Sequence, residues 1–443
     1  MDPIMNVTIA SPEFKANPYP FYARLRAEAP VYRVALPSKQ TAWLITRYDD
    51  VVMALKDERF AKNKLNALTS EQAAKQPWVP AMFKPLEHNM LDLDTPDHTR
   101  LRALVHKAFT PRLIEQMQER IQKLADELLD AVQRQGRMDL IHDYALPIPT
   151  TIIAQMLGVP VQDRQKFHRW SNTIVSSNPS GWGMLKAIPD AMAFMRYIRK
   201  LIKARRAAPQ DDLISALVQA EEAGEQLSED ELVAMIFLLL VAGHETTVNL
   251  IGNGMLALLE HPDQLEQLRN DPALIKPAVE ELLRYASPLE MATERYARED
   301  ITIAGVTIPR GAMVLAVIAS ANRDDRRFAN PDRLDITRQP NKHLAFGQGA
   351  HYCLGAPLAR LEGQIAINTL LRRSSDLRLA VPPGAVRWRR ALVLRGLESL
   401  PVVWAKPWMM AQSETQHAVL SAGGQHADHQ CHGCSAALSP LRY

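Results

Sequence analysis

Apolar residues recur at helical spacing along most of this chain and alternate like strands in only a few short places. Between Pro111 and Gln135, leucine, isoleucine, methionine and alanine return every three or four positions and stop before Gly136, which predicts an amphipathic helix. Residues 189–206 and 210–223 carry the same pattern, and 262–286 holds at least one more helix. Strand character is confined to Ala42–Thr46, Ile301–Ile308 and Met313–Ala319, the last two separated by Pro309, Arg310 and Gly311. The predicted fold class is mainly α with a small β portion.

One predicted helix is exceptional. Ser228 with Glu231 three residues on is a capping-box start, and the pattern continues to Glu260, just before His261-Pro262. Such a helix is about 48 Å long at 1.5 Å per residue and crosses a whole domain. Its first half is apolar nearly all round, which predicts burial on all sides. In its middle stands AGHETT, Ala242–Thr247. Burying Glu245, Thr246 and Thr247 costs several kcal/mol unless they are hydrogen-bonded or serve a purpose. Gly243 adds about 1 kcal/mol more. Penalties gathered in one turn point to a functional site. The plainer reading has both threonines bonded to preceding carbonyls and the glutamate meeting an arginine.

Composition narrows the class. The chain has 443 residues, 47% hydrophobic and 23% charged, enough for a sizeable core. No linker or internal repeat interrupts the first four hundred residues, so one domain over 1–405 is expected. The segment 406–443, rich in Ala, Ser, Gln, Gly and His, is expected to be a disordered tail. The net charge of +3 gives no nucleic-acid footprint. The N-terminal thirty residues lack a signal-peptide pattern, and the longest apolar run, Leu232–Gly243, is shorter than a bilayer span of about 20 residues. A soluble, cytoplasmic monomer with no membrane attachment is expected. Cysteine occurs only at 353, 431 and 434, which is no disulfide framework. Cys431 and Cys434, with His417, His426 and His429, resemble metal ligands, but in a segment without predicted structure they imply adventitious binding at most.

Cys353 is placed differently. It lies among Gly347, Gly349 and Gly355, and a helix is predicted from Ala356 to Arg372. A glycine-rich turn can aim N–H groups at the sulfur, and the helix start adds positive potential; both favour thiolate. On these grounds alone, a metal-ligating or nucleophilic thiolate and an inert buried cysteine are about equally good readings.

The stretch FGQGAHYCLGAPLARLE, Phe346–Glu362, fills every position of FxxGxHxCLG followed by LAR, and resembles the haem-binding loop of the cytochrome P450 family. The resemblance covers nearly all of residues 15–404. It implies a single P450-type domain with haem b between the long central helix and the Cys353 loop. In it Cys353 ligates the iron, Phe346 packs beside the thiolate, and His351 meets a haem propionate. By the same resemblance Ala242 and Gly243 leave room for O2, Thr246 hydrogen-bonds the activated oxygen, and Glu245 relays protons. His98 and Arg102, four apart in DHTRLRALV, and Arg295 in ATERYA match further propionate donors. Glu281 and Arg284 match the ExxR element, with Arg333 of PDRL as its third member and fold support as its role.

The implied activity is monooxygenation of a hydrophobic small molecule, by hydroxylation or epoxidation, in secondary metabolism. The implied pocket lining comes from Phe83–Leu91, Ser171–Met184, Leu239–Thr246, Leu289–Thr293 and Val393-Leu394, with Trp182 in a mobile lid. No segment resembles a flavin or iron–sulfur domain, so electrons are expected from a separate ferredoxin or flavodoxin with its NAD(P)H reductase. Arg100, Lys107 and Arg112 are candidate basic residues for that partner. Two alternatives stand beside this reading: a peroxide-driven peroxygenase or isomerase, and a non-catalytic haem sensor.

Overall fold

A computed structural model describes residues 8–37, 40–76, 89–176, 182–222 and 227–405. The expected tail with Cys431 and Cys434, and the pocket segments at Phe83–Leu91 and Ser171–Met184 with the Trp182 lid, lie wholly or partly outside the described residues or side chains.

Six helices position the site: α1 Tyr48–Lys56, α2 Asp97–Ala108, α3 Pro111–Gln133, α4 Glu229–Glu260, α5 Ile275–Tyr285 and α6 Ala356–Arg373. The periodicity of α3 is realised as a stripe, with Met117, Ile121, Ala125 and Leu129 buried at four-residue spacing. The predicted region 262–286 divides into two helices, Pro262–Asn270 and α5, because Asp271-Pro272 breaks the ladder between them.

The β portion is small. Strands β1 Val31–Ala35, β2 Thr41–Ile45, β3 Phe60–Ala61, β4 Arg295–Ala297 and β5 Met313–Ala316 form one sheet in the order β1-β2-β5-β4-β3. β2 pairs in parallel with β5, and the other neighbours are antiparallel. The expected strand Ile301–Ile308 is instead a hairpin, Ile301–Ile303 against Val306–Ile308. Its turn residues, Ala304 and Gly305, both have positive φ, which reverses the chain within two residues.

The long helix runs from Glu229 to Glu260 as predicted, with both halves of the Ser228–Glu231 capping box made. By length and composition alone it could cross a membrane, but it is packed into the interior of the main core cluster. The expectation of burial on all sides is corrected. Leu239, Ala242, Gly243 and Thr246 are part-exposed or exposed, and this i, i+3, i+4, i+7 set is one helix face. The residues of this face carry exposed surface, whereas Leu232–Ile236 are buried in the interior.

Helix α6 crosses α4 closely. A Cβ at Gly363 would come within 2.9 Å of the Leu250 Cδ2 methyl, so a larger residue there would make that side chain shift. The Cys353 loop lies N-terminal of that crossing on α6, and the Ala242–Thr246 turn lies N-terminal of it on α4. The crossing therefore sets the separation of the two chemical segments.

Candidate active site

The loop before α6 is held from three sides. Gly349 has φ +75°, and a Cβ there would sit 2.9 Å from the Leu55 carbonyl at the end of α1, so glycine is required twice over. The Cys353 N–H donates to the Phe346 carbonyl at 2.9 Å. Arg102 donates to the Tyr352 carbonyl at 2.8 Å, tying α2 to the loop. Phe346 packs over the same turn, with the Arg360 guanidinium 4.4 Å from its ring centre.

The thiol's electrostatics combine opposing influences. Burial pushes the Cys353 thiol above its ordinary value. The Gly355 N–H, the Arg102 and Arg360 guanidinium groups and the Ala356 N–H all pull the other way, as a thiolate site needs, but they offset only part of it. A coordinated metal ion deprotonates a thiol outright.

Next to the loop is a concentration of cationic and donor groups. His98 on α2 and His351 stack with ring centres 4.0 Å apart. Arg295 reaches them from β4, and Arg102 from α2. His98 is buried and neither of its ring nitrogens has a hydrogen-bond partner, and Nε of Arg295 has none either. Burial, with the charges of His98, Arg295, Lys62 and Arg102, pushes His351 down to about 2, and burial lowers Arg295 to about 10. Asp94, whose field reaches His98 and Arg295, already accepts from the Lys62 and Asn63 N–H groups, Asn66 and Arg298. The chemistry of this donor set calls for anions from outside the chain.

Lys62 was not legible in the sequence. It is buried and donates to Thr293 Oγ1 and the Glu294 carbonyl, both at 2.8 Å. Desolvation lowers it to about 8. Nothing in the local pattern around Phe60-Ala61 marks a lysine as buried.

On α4 the hydroxyls are satisfied locally. Thr246 Oγ1 donates to the Ala242 carbonyl at 2.9 Å, and Thr247 Oγ1 donates to the Gly243 carbonyl at 3.4 Å. Glu245 Oε1 meets Arg389 Nη1 at 3.3 Å. The plainer reading of this turn thus holds for its resting contacts. It leaves the lone pairs of Thr246 available, on the open face of the helix. A Cβ at Gly243 would find its nearest neighbour, Ile153 Cδ1, at 3.9 Å. Behind the turn, Glu362 of α6 is fully enclosed; burial raises it to about 8, opposed by a hydrogen bond with Thr247.

The ExxR element is buried as expected, with one correction. Arg284 pairs with Glu281 at 2.7 and 2.8 Å, but the third guanidinium is that of Arg338, at 3.1 Å from both carboxylate oxygens. Arg333 is exposed and contributes only its carbonyl, which accepts from Arg284 and Arg338. Five residues further along the loop, Arg338 can turn back onto α5. Arg100, expected on a basic face, ion-pairs with Glu231 at the start of α4, while Lys107 and Arg112 are exposed.

Sequence comparison matches residues 5–376 to the family described as Cytochrome P450. The chain is 48% identical over 398 residues to the polyketide biosynthesis cytochrome P450 PksS of Bacillus subtilis, covering 89% of this chain and 97% of that one. It is 45% identical over 411 residues to the cytochrome P450 monooxygenase PikC of Streptomyces venezuelae, covering 91% and 95%. The solved structure of PksS superposes with a TM-score of 0.84 at 46% identity, covering 90% of this chain and 100% of the other. That of a myxobacterial relative, CYP267B1 in complex with myristic acid, gives 0.83 at 45%, covering 90% and 98%. The family carries haem b on a cysteine thiolate, and the residues here fit that group: unpartnered nitrogens on His98 and Arg295 suit propionates, and Cys353 is the one cysteine among the described residues. This chain belongs to the cytochrome P450 family and is a haem-thiolate monooxygenase of the bacterial kind.

Proposed function

We propose that this protein inserts one oxygen atom from O2 into a hydrophobic small molecule, by hydroxylation or epoxidation, using electrons from a separate ferredoxin or flavodoxin and its NAD(P)H reductase in the cytoplasm. The observation that carries this reading is the open face of α4, where Ala242, Gly243 and Thr246 share one side and Glu245 stands beside them.

Cys353 would hold the iron, and His98, Arg102, Arg295 and His351 would hold the propionates. When bound, haem b supplies the iron at which dioxygen is reduced and cleaved. The chain's own part is to control protons and water. Thr246 gives its hydroxyl proton to the Ala242 carbonyl, so its oxygen can accept a hydrogen bond from the reacting side. Glu245, part-exposed, can pass protons from solvent to that threonine. Gly243, with little packed against it, keeps the space above the iron free of side chains.

The substrate is an apolar compound of the size of a polyketide or long-chain acyl group. The names of two relatives support this: one acts in polyketide biosynthesis and one was solved with myristic acid. Leu239, Leu289 and the Val393-Leu394 pair are part-exposed and apolar, as a lining requires.

Thr246→Ala tests the reading. A monooxygenase keeps consuming NAD(P)H but releases peroxide instead of product, with coupling down about tenfold or more. Unchanged product yield, with turnover sustained by added peroxide alone, would refute it.

A further inference from the structure

The acid of the α4 turn is held by a part of the chain far from it in sequence. Arg389, which pairs with Glu245, lies on a hairpin spanning 387–398. The hairpin is closed by the Arg389 N–H donating to the Gly396 carbonyl and the Glu398 N–H donating to the Arg387 carbonyl, both at 2.9 Å. Its tip joins the proposed pocket lining: the Glu290 and Met291 N–H groups donate to the Val393 carbonyl at 2.8 and 3.2 Å, and Leu289 bridges to Leu394.

Two further contacts dock the returning strand of the hairpin onto α4, one and two turns beyond Glu245. The Asn249 side chain lies so close to Gly396 that any Cβ there would collide with it. Asn253 Nδ2 donates to the Arg395 carbonyl at 2.8 Å. Lys15 fixes the tip from the far side, bonding the Leu392 carbonyl at 3.0 Å and Glu290 at 2.8 Å. One short element thus touches the apolar lining at its tip and the carboxylate of Glu245 on its flank.

We propose that Arg389 is a positioning residue for Glu245, and that the 387–398 hairpin ties the orientation of this acid to what fills the pocket. The proposal rests on the monooxygenase reading above. Arg389 reaches neither substrate nor haem in this role; it orients the carboxylate so that protons are delivered to the Thr246 side only with the hairpin seated. A ligand against Val393-Leu394 presses on the same hairpin and so acts on Glu245.

The test uses the haem-loaded full chain as wild type, Arg389→Met, Arg389→Lys, Glu245→Gln and the Arg389→Met/Glu245→Gln pair. Amide hydrogen exchange reads this Glu245–Arg389 latch without turnover. Arg389→Met and Glu245→Gln should each speed exchange at the Arg389 amide several-fold, the pair no more than either alone, and Arg389→Lys should restore most of the protection. Multiplying effects in the pair would overturn the proposal. Peroxide released per NADPH, with a surrogate plant-type ferredoxin and its reductase and myristic acid as the probe, reads the function. Arg389→Met should raise it several-fold in the wild-type background and leave it unchanged in the Glu245→Gln background; an undiminished rise there overturns the proposal. If Thr246→Ala also leaves peroxide release flat, the monooxygenase reading falls and takes this role of Arg389 with it, even where exchange still reports the latch.

Discussion

The Glu281–Arg284–Arg338 cluster and the Lys62–His98–Arg295–His351 cluster are both largely buried and both rich in cationic groups, yet only the first satisfies its polar groups from within. All five N–H donors of Arg284 are used, on Glu281 and on the carbonyls of Asn322, Pro331 and Arg333. Glu281 in turn accepts from Arg284, Arg338, Asn341 and the Asp335 N–H. In the second cluster both nitrogens of His98 and the Nε of Arg295 have no partner, and His351 is driven down by burial and by its cationic neighbours. A buried polar network that closes on itself specifies a fold, whereas one that stays open is built to receive something. The contrast is the one expected between a cluster that supports the fold and one that binds an anion.

The sharpest way to break this comparison is to remove one arginine from each cluster. Arg284→Leu leaves Glu281 with a buried charge short of its main partner, and should cost about 3–5 kcal/mol in urea unfolding or prevent soluble expression. Arg295→Leu should leave the stability of the haem-free chain nearly unchanged while lowering haem retention several-fold. Equal losses of stability in both variants would erase the distinction.

Beside the open cluster, Cys353→Ser should keep the fold, read by circular dichroism, and abolish the thiolate-type spectrum of the reduced, CO-bound protein. A surviving thiolate spectrum would move the ligand elsewhere.

A smaller effect is expected from pH. Lys62 is lowered by desolvation from 10.5 to about 8. Below about pH 8 it is charged in the folded and unfolded chains alike, and the folded chain bears the burial penalty. Between there and 10.5 the unfolded chain holds more protons, so the stability of the haem-free chain should rise with pH, by on the order of 3 kcal/mol at most. Lys62→Met should flatten that rise. Haem should flatten it too, because propionates favour the charged amine; a slope unchanged by haem would remove Lys62 from the cluster.

The mildest change tests the outer face. Lys107 and Arg112 are exposed. Reversing both to Glu should slow reduction by an acidic ferredoxin several-fold at low salt and less at high salt, read by stopped-flow. An unchanged rate would place the docking surface elsewhere.

Much of this was legible in advance for a definite reason. The capping box at Ser228, the stripe of α3 and the loop around Cys353 are local patterns, written in residues close together in the chain. The turn at Ala242–Thr247 was visible because polar residues and a glycine interrupt an apolar run. Arg338 and Lys62 left no such trace. An arginine or lysine in a loop looks the same in sequence whether it ends in solvent or in a buried cluster, and here Arg333 was the nearer candidate but is the exposed one. The positive φ of Ala304 left no trace either, since a non-glycine residue in that conformation carries no signature.

The sequence by itself determined the class of helix, the loop that presents Cys353 and the polar Glu245-Thr246 turn, because each depends on spacing within a few turns. Only the tertiary structure decided which buried charges find partners, which face of the long helix is open, and that Arg389 from the C-terminal hairpin meets Glu245. Those outcomes depend on desolvation and on partners from tens to more than 200 residues away, and neither is encoded in any local stretch of the chain.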